Sequence, residues 1–513
     1  MIKQIRYNKI NCTGCGEYTS ADLVAFDFGK VFREVLKCGG DDSTWEMLSR
    51  LDLKFYYTIR DICQELQFDM SRMKPAKLRL TVKDVIRQIE FLVDDIPFSQ
   101  IKNETRESIL YNNLYKSIGS TYGTEVEQMD AIEELIHRLA ASDEETEIVN
   151  VDIQVELEKD EKGHEMPVAL QYYIRGEKRE LAERVCPLCG TLIDNQAGYR
   201  NEFIIGLAGL SRVGKTAFIA ALIHQLKMLD SQGYICIKDE NSESLNTFIQ
   251  QVVSEYEKGN AVCKTEVENV DAIPLVYVPL QVGNREYNFV FVDMPGKIYG
   301  GSEAIGLDFI SNKRSIIKNA DVVWCCIEPA MIGQKYVNLN VVEREEDSSR
   351  QLSRLINVLN MVYNSKIPAG IIVTQSDLIT DYSLFQPEEN VMEQYLLEDY
   401  SLDWRKTKEC MEKTRDFINQ MNNFQLSIED TFEGIAMFSV ASYGFDVGAK
   451  ALINNQKIRP SMIELPFLWT LAKLGLIKAS GEVNGKDFFG KEKTTIKHID
   501  DTNALYIMGK TRG

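Results

Sequence analysis

The run Gly209-Leu-Ser-Arg-Val-Gly214-Lys215-Thr216 fits G-x-x-x-x-G-K-S/T and lies between a strand-like stretch, FIIGLAG, and a helix-like one, TAFIAALIHQL. Nothing else in the chain constrains the fold as much: a strand must end, turn its backbone N–H groups inward and open a helix within one short loop. Glycines permit the dihedrals and the close approach that this turn needs, and the helix N-terminus adds partial positive charge. The implied ligand is an anion of phosphate type. Gly209, Ser211, Arg212, Val213, Gly214, Lys215, Thr216 and Ala217 form the candidate phosphate-binding set. Lys215 serves as a point charge for the β- and γ-phosphates, and the Thr216 hydroxyl as a ligand to Mg²⁺.

Downstream, short apolar runs alternate with helical stretches: PLVYVPL, YNFVFVD, ADVVWCCIEP, AGIIVTQ and GIAMFSVA. This rhythm predicts an α/β fold with a mostly parallel sheet. The second and third strands, counted from FIIGLAG, are joined only by Gly283-Asn284-Arg285, too short for a parallel crossover, so one antiparallel edge strand is expected. Asp293 ends its strand and is followed by Met-Pro-Gly296, a spacing that places a carboxylate near Mg²⁺ and a backbone N–H near a γ-phosphate. Thr265, in AVCKTEVEN, is the candidate hydroxyl that joins Mg²⁺ when a triphosphate is present.

Thr374, Gln375 and Asp377 follow another strand, where ligands bind in open α/β sheets. A carboxylate there accepts from the N1–H and N2–H₂ of guanine, whereas adenine would leave it unpaired. Val440-Ala441-Ser442 follows the last strand, and its N–H groups are candidates for the guanine O6. The pocket is therefore expected to take GTP and GDP, and an ATPase is the alternative if Asp377 does not face the base.

The first two hundred residues read differently. Leu48, Leu51, Leu53, Phe55, Ile59, Ile62, Cys63 and Leu66 recur at helical spacing, predicting a helical segment over 17–145. Residues 147–157 and 167–174 read as a hairpin around the charged turn at Gly163. Of eleven cysteines, four form Cys12-Thr-Gly-Cys15-Gly and Cys186-Pro-Leu-Cys189-Gly. Two such knuckles supply the four thiolates of a closed, structural Zn²⁺ site. Free thiols and redox chemistry are the alternatives. None of the four histidines belongs to a recognisable catalytic pair.

A net charge of −19 argues against nucleic acid as a partner, and no apolar run approaches a membrane span. The polar start MIKQIRYNKINC is unlike a secretory signal, so a cytoplasmic location and no stable membrane insertion are expected.

GLSRVGKT, DMPG and TQSD, in this order and with an antiparallel second strand, resemble the translation-factor-related (TRAFAC) class of P-loop GTPases. The resemblance implies GTP hydrolysis as a regulated molecular switch, with Lys215, Thr216, Thr265 and Gly296 in catalysis and a protein partner or activating protein. Gln375 stands where the class carries lysine, and Lys297 where many members place a water-orienting glutamine. Hydrolysis is accordingly expected to be slow or to need a residue from elsewhere. A GTP-dependent scaffold with little turnover is the second reading. Arg212 is similar in position to the internal arginine finger of guanylate-binding proteins, which implies a nucleotide-dependent homodimer; a solvent-facing loop arginine is the alternative. The cysteine pairs with Pro466–Leu471 resemble zinc-ribbon-bearing bacterial GTPases of conflict and defence systems. The expected order is half a zinc ribbon at 1–16, a helical insertion at 17–145, hairpin and second half-ribbon at 146–198, a GTPase domain at 199–480 and an extension at 481–513.

Overall fold

The computed structural model describes residues 8–12, 17–38, 55–59, 76–81, 148–229, 233–238, 242–260, 262, 275–293, 296, 320–329, 355, 359, 367–379, 391–419, 432, 434–444, 458–486, 492–499, 501–506 and 508–509. The chain divides into two compact units, Met1–Arg200 and Asn201–Gly513.

In the first unit, β1 (Lys9–Asn11) and β2 (Tyr18–Ser20) form a short antiparallel hairpin. β3 (Ala25–Asp27) leads into α1 (Gly29–Cys38), whose buried Val31, Phe32, Val35 and Leu36 recur at i, i+1, i+4 and i+5 along one face. β4 (Tyr56–Thr58), β5 (Ala76–Thr81), β6 (Ile148–Lys159), β7 (Glu165–Ile174), β8 (Glu177–Leu181) and β9 (Arg184–Val185) follow. They make a sheet β4-β3-β9 and a four-stranded antiparallel sheet β5-β6-β7-β8.

Of the segment 17–145 read as helical, the described residues include α1, which agrees with that reading, and the strands β2, β3, β4 and β5, which do not. Tyr56–Thr58 is an aromatic and β-branched triplet that pairs with β3, and Ala76–Thr81 pairs along its length with β6. Phe55 and Ile59 suit a helical period, yet a strand of three residues has no period to show. Leu48, Leu51, Leu53, Ile62, Cys63 and Leu66 lie outside the described residues. The expected hairpin forms, as the middle of a larger sheet. Pairing also crosses the expected divisions, since β3 bonds to β9 and β5 to β6.

The second unit is a mixed α/β structure. Its strands are β10 (Asn201–Ala208), β11 (Ile235–Ile237), β12 (Leu275–Val282), β13 (Arg285–Asp293), β14 (Val322–Ile327), β15 (Ala369–Val373), β16 (Leu402–Asp403), β17 (Gly434–Ser439), β18 (Ala479–Lys486), β19 (Glu492–His498) and β20 (Met508–Gly509). Its helices are α2 (Lys215–Met228), α3 (Glu243–Phe248), α4 (Ser254–Glu257), α5 (Val391–Tyr395), α6 (Trp404–Ile418) and α7 (Leu465–Lys473). The large sheet has the order β11-β12-β13-β10-β14-β15-β17-β20, with β13, β10, β14, β15 and β17 mutually parallel.

β12 is antiparallel to β13 as expected, but it is not the edge: β11 pairs outside it, and β20 adds a second antiparallel strand at the far end. Within 481–513, β20 thus joins the large sheet, while β19 and most of β18 lie in a separate three-stranded sheet β16-β18-β19, and Trp469 Nε1 donates to Leu505 O at 2.8 Å. Edge pairing of this kind joins residues distant in sequence and leaves no local signature.

β14, β15 and β17 are buried throughout, which explains their unbroken apolar character. Helices cover both faces of this region. Phe438 meets Trp469 of α7, while the next residue, Ser439, meets Thr414 of α6 on the opposite side of the pleat. α2 shares the α7 face, since Trp324 touches Phe218 and also donates to Thr470 Oγ1 at 3.1 Å. The five parallel strands deliver their C-terminal ends to one edge of the sheet.

Candidate functional site at the sheet edge

β10 ends at Ala208 and the loop Gly209–Gly214 leads into α2. A Cβ on Gly209 would lie 2.6 Å from Cys326 O, so only glycine lets the loop pass this close to β14. Gly214 caps α2 with φ +84°, and Arg212 also holds a left-handed φ of +69°. Two inverted residues in one short loop turn successive peptide groups, the geometry of an anion-binding nest. Ser211 and Arg212 are exposed, Val213 is buried, and Thr216 and Ala217 are half-buried on the first turn of α2.

Lys215 is only 7% exposed. Its Nζ donates to Gly209 O at 2.8 Å and Leu210 O at 2.9 Å, which bends the ammonium back over its own loop. Burial lowers the Lys215 pKa, and the Asp293 carboxylate opposes that fall. The neighbouring Cys325 thiol is pushed up to about 12 by burial, which leaves it protonated and inert as a nucleophile.

Asp293, 3% exposed, closes β13 beside Leu207 of β10. The Thr216 hydroxyl donates to Asp293 Oδ2 at 2.6 Å. A hydroxyl and a carboxylate held together at the mouth of the loop are hard oxygen donors, a set that suits Mg²⁺. Gly296 approaches from the same side: a Cβ there would lie 2.1 Å from Ser211 N and 2.4 Å from Leu210 C. Thr265 and Lys297 lie outside the described residues.

The base-reading candidates meet this loop directly. Thr374, buried, donates through its hydroxyl to Val213 O, with Ile327 O also in reach at 3.0 Å. Gln375 adopts φ +54°, and its Nε2 donates to Arg212 O at 3.2 Å. Asp377 sits half-buried in the 3-10 turn Ser376–Leu378.

The Val440-Ala441-Ser442 group is narrowed by its own backbone. Val440 N donates to Val373 O at 2.8 Å, and Ala441 N to Ser461 O at 3.0 Å. Both donors are therefore committed, which corrects their expected role toward O6. Ala441 O accepts from Ser461 N at 2.9 Å. Across that same trans peptide the Ser442 N–H points the opposite way. That is the side on which Val440 O accepts from Ser376 N, the start of the Asp377 turn. One donor, on Ser442, thus shares an edge with the Asp377 carboxylate.

Sequence reasoning missed Tyr256, against whose ring Tyr443 packs with centroids 5.1 Å apart. Tyr256 OH donates to Ser442 O at 2.5 Å, and Tyr443 OH donates to Asn260 O at 2.9 Å and accepts from Val262 N at 3.2 Å. An aromatic in an amphipathic helix carries no signal for such a contact.

In the first unit, the Sγ atoms of Cys12, Cys186 and Cys189 lie within 4.8 Å of one another. Cys12 Sγ and Cys189 Sγ are 3.3 Å apart. Four sulfurs around zinc at about 2.3 Å are separated by roughly 3.8 Å, so this spacing fits the ion. Cys12 N donates to Glu17 O at 2.9 Å, and Gly190 N donates to Cys186 O at 2.9 Å, which closes a tight turn around Cys186 and Cys189. Cys15 lies outside the described residues.

No protein-family model matches the chain, and no curated protein matches it. Among solved structures, it is similar to a GTP-binding protein from the hyperthermophilic archaeon Sulfolobus solfataricus in complex with GDP. That match has 13% identity and a TM-score of 0.22, and it covers 47% of each chain. A glycine-to-serine variant of SsGBP matches at 13% identity and a TM-score of 0.23, covering 47% of this chain and 50% of that one. The chain spans about half the length of the solved structures it matches.

Proposed function

We propose that the second unit binds GTP and hydrolyses it to GDP and phosphate, as a regulated switch. The observation that carries this reading is the contact between the two ends of the site. Gln375 and Thr374, at the tip of β15, hydrogen-bond to Arg212 and Val213 of the 209–214 loop, which supports a tail cradle and a head reader on one sheet edge. Lys215 would neutralise phosphate charge, and Asp377 with the Ser442 N–H would read guanine. Thr216 and Asp293 would hold Mg²⁺, which when bound neutralises the charge developing on the phosphate oxygens. Cys12, Cys186 and Cys189, with Cys15 as fourth ligand, would hold a structural zinc in the first unit.

Competition for a labelled guanine nucleotide tests the assignment. GTP is expected to displace the label at concentrations roughly 100-fold below ATP, the scale of one unsatisfied charged acceptor and one missing donor pair. A preference for ATP would reject the guanine reading.

Gly296→Ala tests the approach of the Asp293–Gly296 segment to the phosphate loop. The added methyl meets backbone, which cannot rotate away as a side chain would. GDP affinity is expected to stay within about threefold, while affinity for a non-hydrolysable GTP analogue falls by roughly tenfold or more, since one backbone donor to the γ-phosphate is displaced. Equal losses for both nucleotides would remove Gly296 from the triphosphate site.

A scaffold that binds GTP with little turnover is favoured by Lys297 and Gln375, which stand in place of the side chains that the resemblance implies. Single-turnover phosphate release separates it from the switch. Arg212, exposed on its inverted φ, is available to a second GTPase domain, and light scattering with GDP and a GTP analogue tests that homodimer.

A further inference from the structure

Ser442 is held from both sides by groups outside its own strand. The peptide before it is fixed by Ser461 through Ala441 O, and the peptide after it by the Tyr256 hydroxyl through Ser442 O. Tyr256 is fully buried near the end of α4. Its ring lies edge-on to His224 of α2, with centroids 5.7 Å apart. His224 Nδ1 is 3.0 Å from Glu257 Oε1, so α4 is tied to the helix that opens the phosphate loop. Burial and the nearby Tyr443 and Glu464 keep the Tyr256 hydroxyl protonated, and therefore a donor.

We propose that Tyr256 is a positioning residue for base specificity, holding the Ser442 backbone so that its N–H presents a donor to the 6-oxo group of a purine. The inference rests on the guanine reading above and adds a residue from a helix that carries no nucleotide motif. With the hydroxyl in place, rotation about the Cα–C bond of Ser442 is blocked at its far peptide. Without it, the Ser442–Tyr443 peptide is released and the Ser442 segment is held at one peptide only, so the donor keeps the direction that Ser461 sets but its position relative to the Asp377 turn is less sharply fixed. Asp377 reads N1–H and N2–H₂ from the neighbouring strand tip and does not depend on this bond.

The two halves of recognition separate with nucleotide analogues. 6-Thio-GDP replaces the 6-oxo acceptor by a poorer one and keeps N1–H and N2–H₂; IDP keeps the 6-oxo group and lacks the 2-amino group. The wild-type protein is expected to prefer GDP over 6-thio-GDP by roughly tenfold, the scale of one hydrogen bond in a desolvated site. Tyr256→Phe is expected to reduce that ratio to about two while leaving the GDP-to-IDP ratio unchanged. Tyr443→Phe removes a comparable buried hydroxyl that does not touch Ser442, and both ratios are expected to stay at wild-type values.

If the 6-thio ratio survives in Tyr256→Phe, or if Tyr256→Phe and Tyr443→Phe lower both ratios alike, the positioning role is overturned. A wild-type protein without guanine preference overturns the reading beneath it, and that outcome appears before any variant is tested.

Discussion

Asp377→Asn is expected to convert the site from guanine to xanthine nucleotides, with GDP affinity falling and XDP affinity rising, each by roughly 100-fold. The chemistry follows from donors and acceptors alone. A carboxylate offers acceptors only, and guanine presents two donors on its N1–N2 edge. Asparagine turns one acceptor into an N–H₂ donor, which then opposes the guanine 2-amino group; xanthine carries a 2-oxo acceptor at that position and restores the pair. Asp377 is half-buried in a turn whose Ser376 N–H is bonded to Val440 O, so the side chain is presented by a backbone that the substitution leaves intact. Equilibrium titration with fluorescent GDP and XDP reads both arms. A gain in XDP affinity cannot come from a misfolded variant, and a loss for both nucleotides would place Asp377 away from the base.

The elements of this site that were legible in the sequence are those whose chemistry is local. The loop 209–216 carries its glycines, lysine and threonine at fixed spacing, and Asp293 and Thr374 each follow a run too apolar to be anything but a buried strand. The chain order of strands and helices then places all of them at one sheet edge. What could not be read was pairing. β11 and β20 attach at the edges through two or three residues each, and β4 is three residues long. The Ala441 N–H looks available in the sequence and is consumed by Ser461, a partner that nothing near Ala441 announces. Tyr256 and Ser442 are separated by 186 residues, and their bond exists only because α4 and β17 are folded against the same core.

The zinc prediction also turns on long-range closure. Cys12 and Cys189 are 177 residues apart in sequence, yet their sulfurs are 3.3 Å apart. Tying a loop of that length lowers the entropy of the unfolded chain by the equivalent of about 5 kcal/mol in the chain-entropy model, comparable to the whole stability of a small domain. Full-length protein is therefore expected to carry about one zinc per chain by elemental analysis, because four thiolates complete one tetrahedral shell. Cys186→Ala is expected to lose most of that zinc and to make residues 1–200 sensitive to limited proteolysis, while residues 201–513 resist and GDP affinity stays within about threefold, since the two units have separate cores. Chelation of the wild-type protein should reproduce the same cleavage, and restored zinc should reverse it. Stoichiometric zinc in Cys186→Ala, or an unchanged digest after its loss, would show that the three thiols are packed there for another reason.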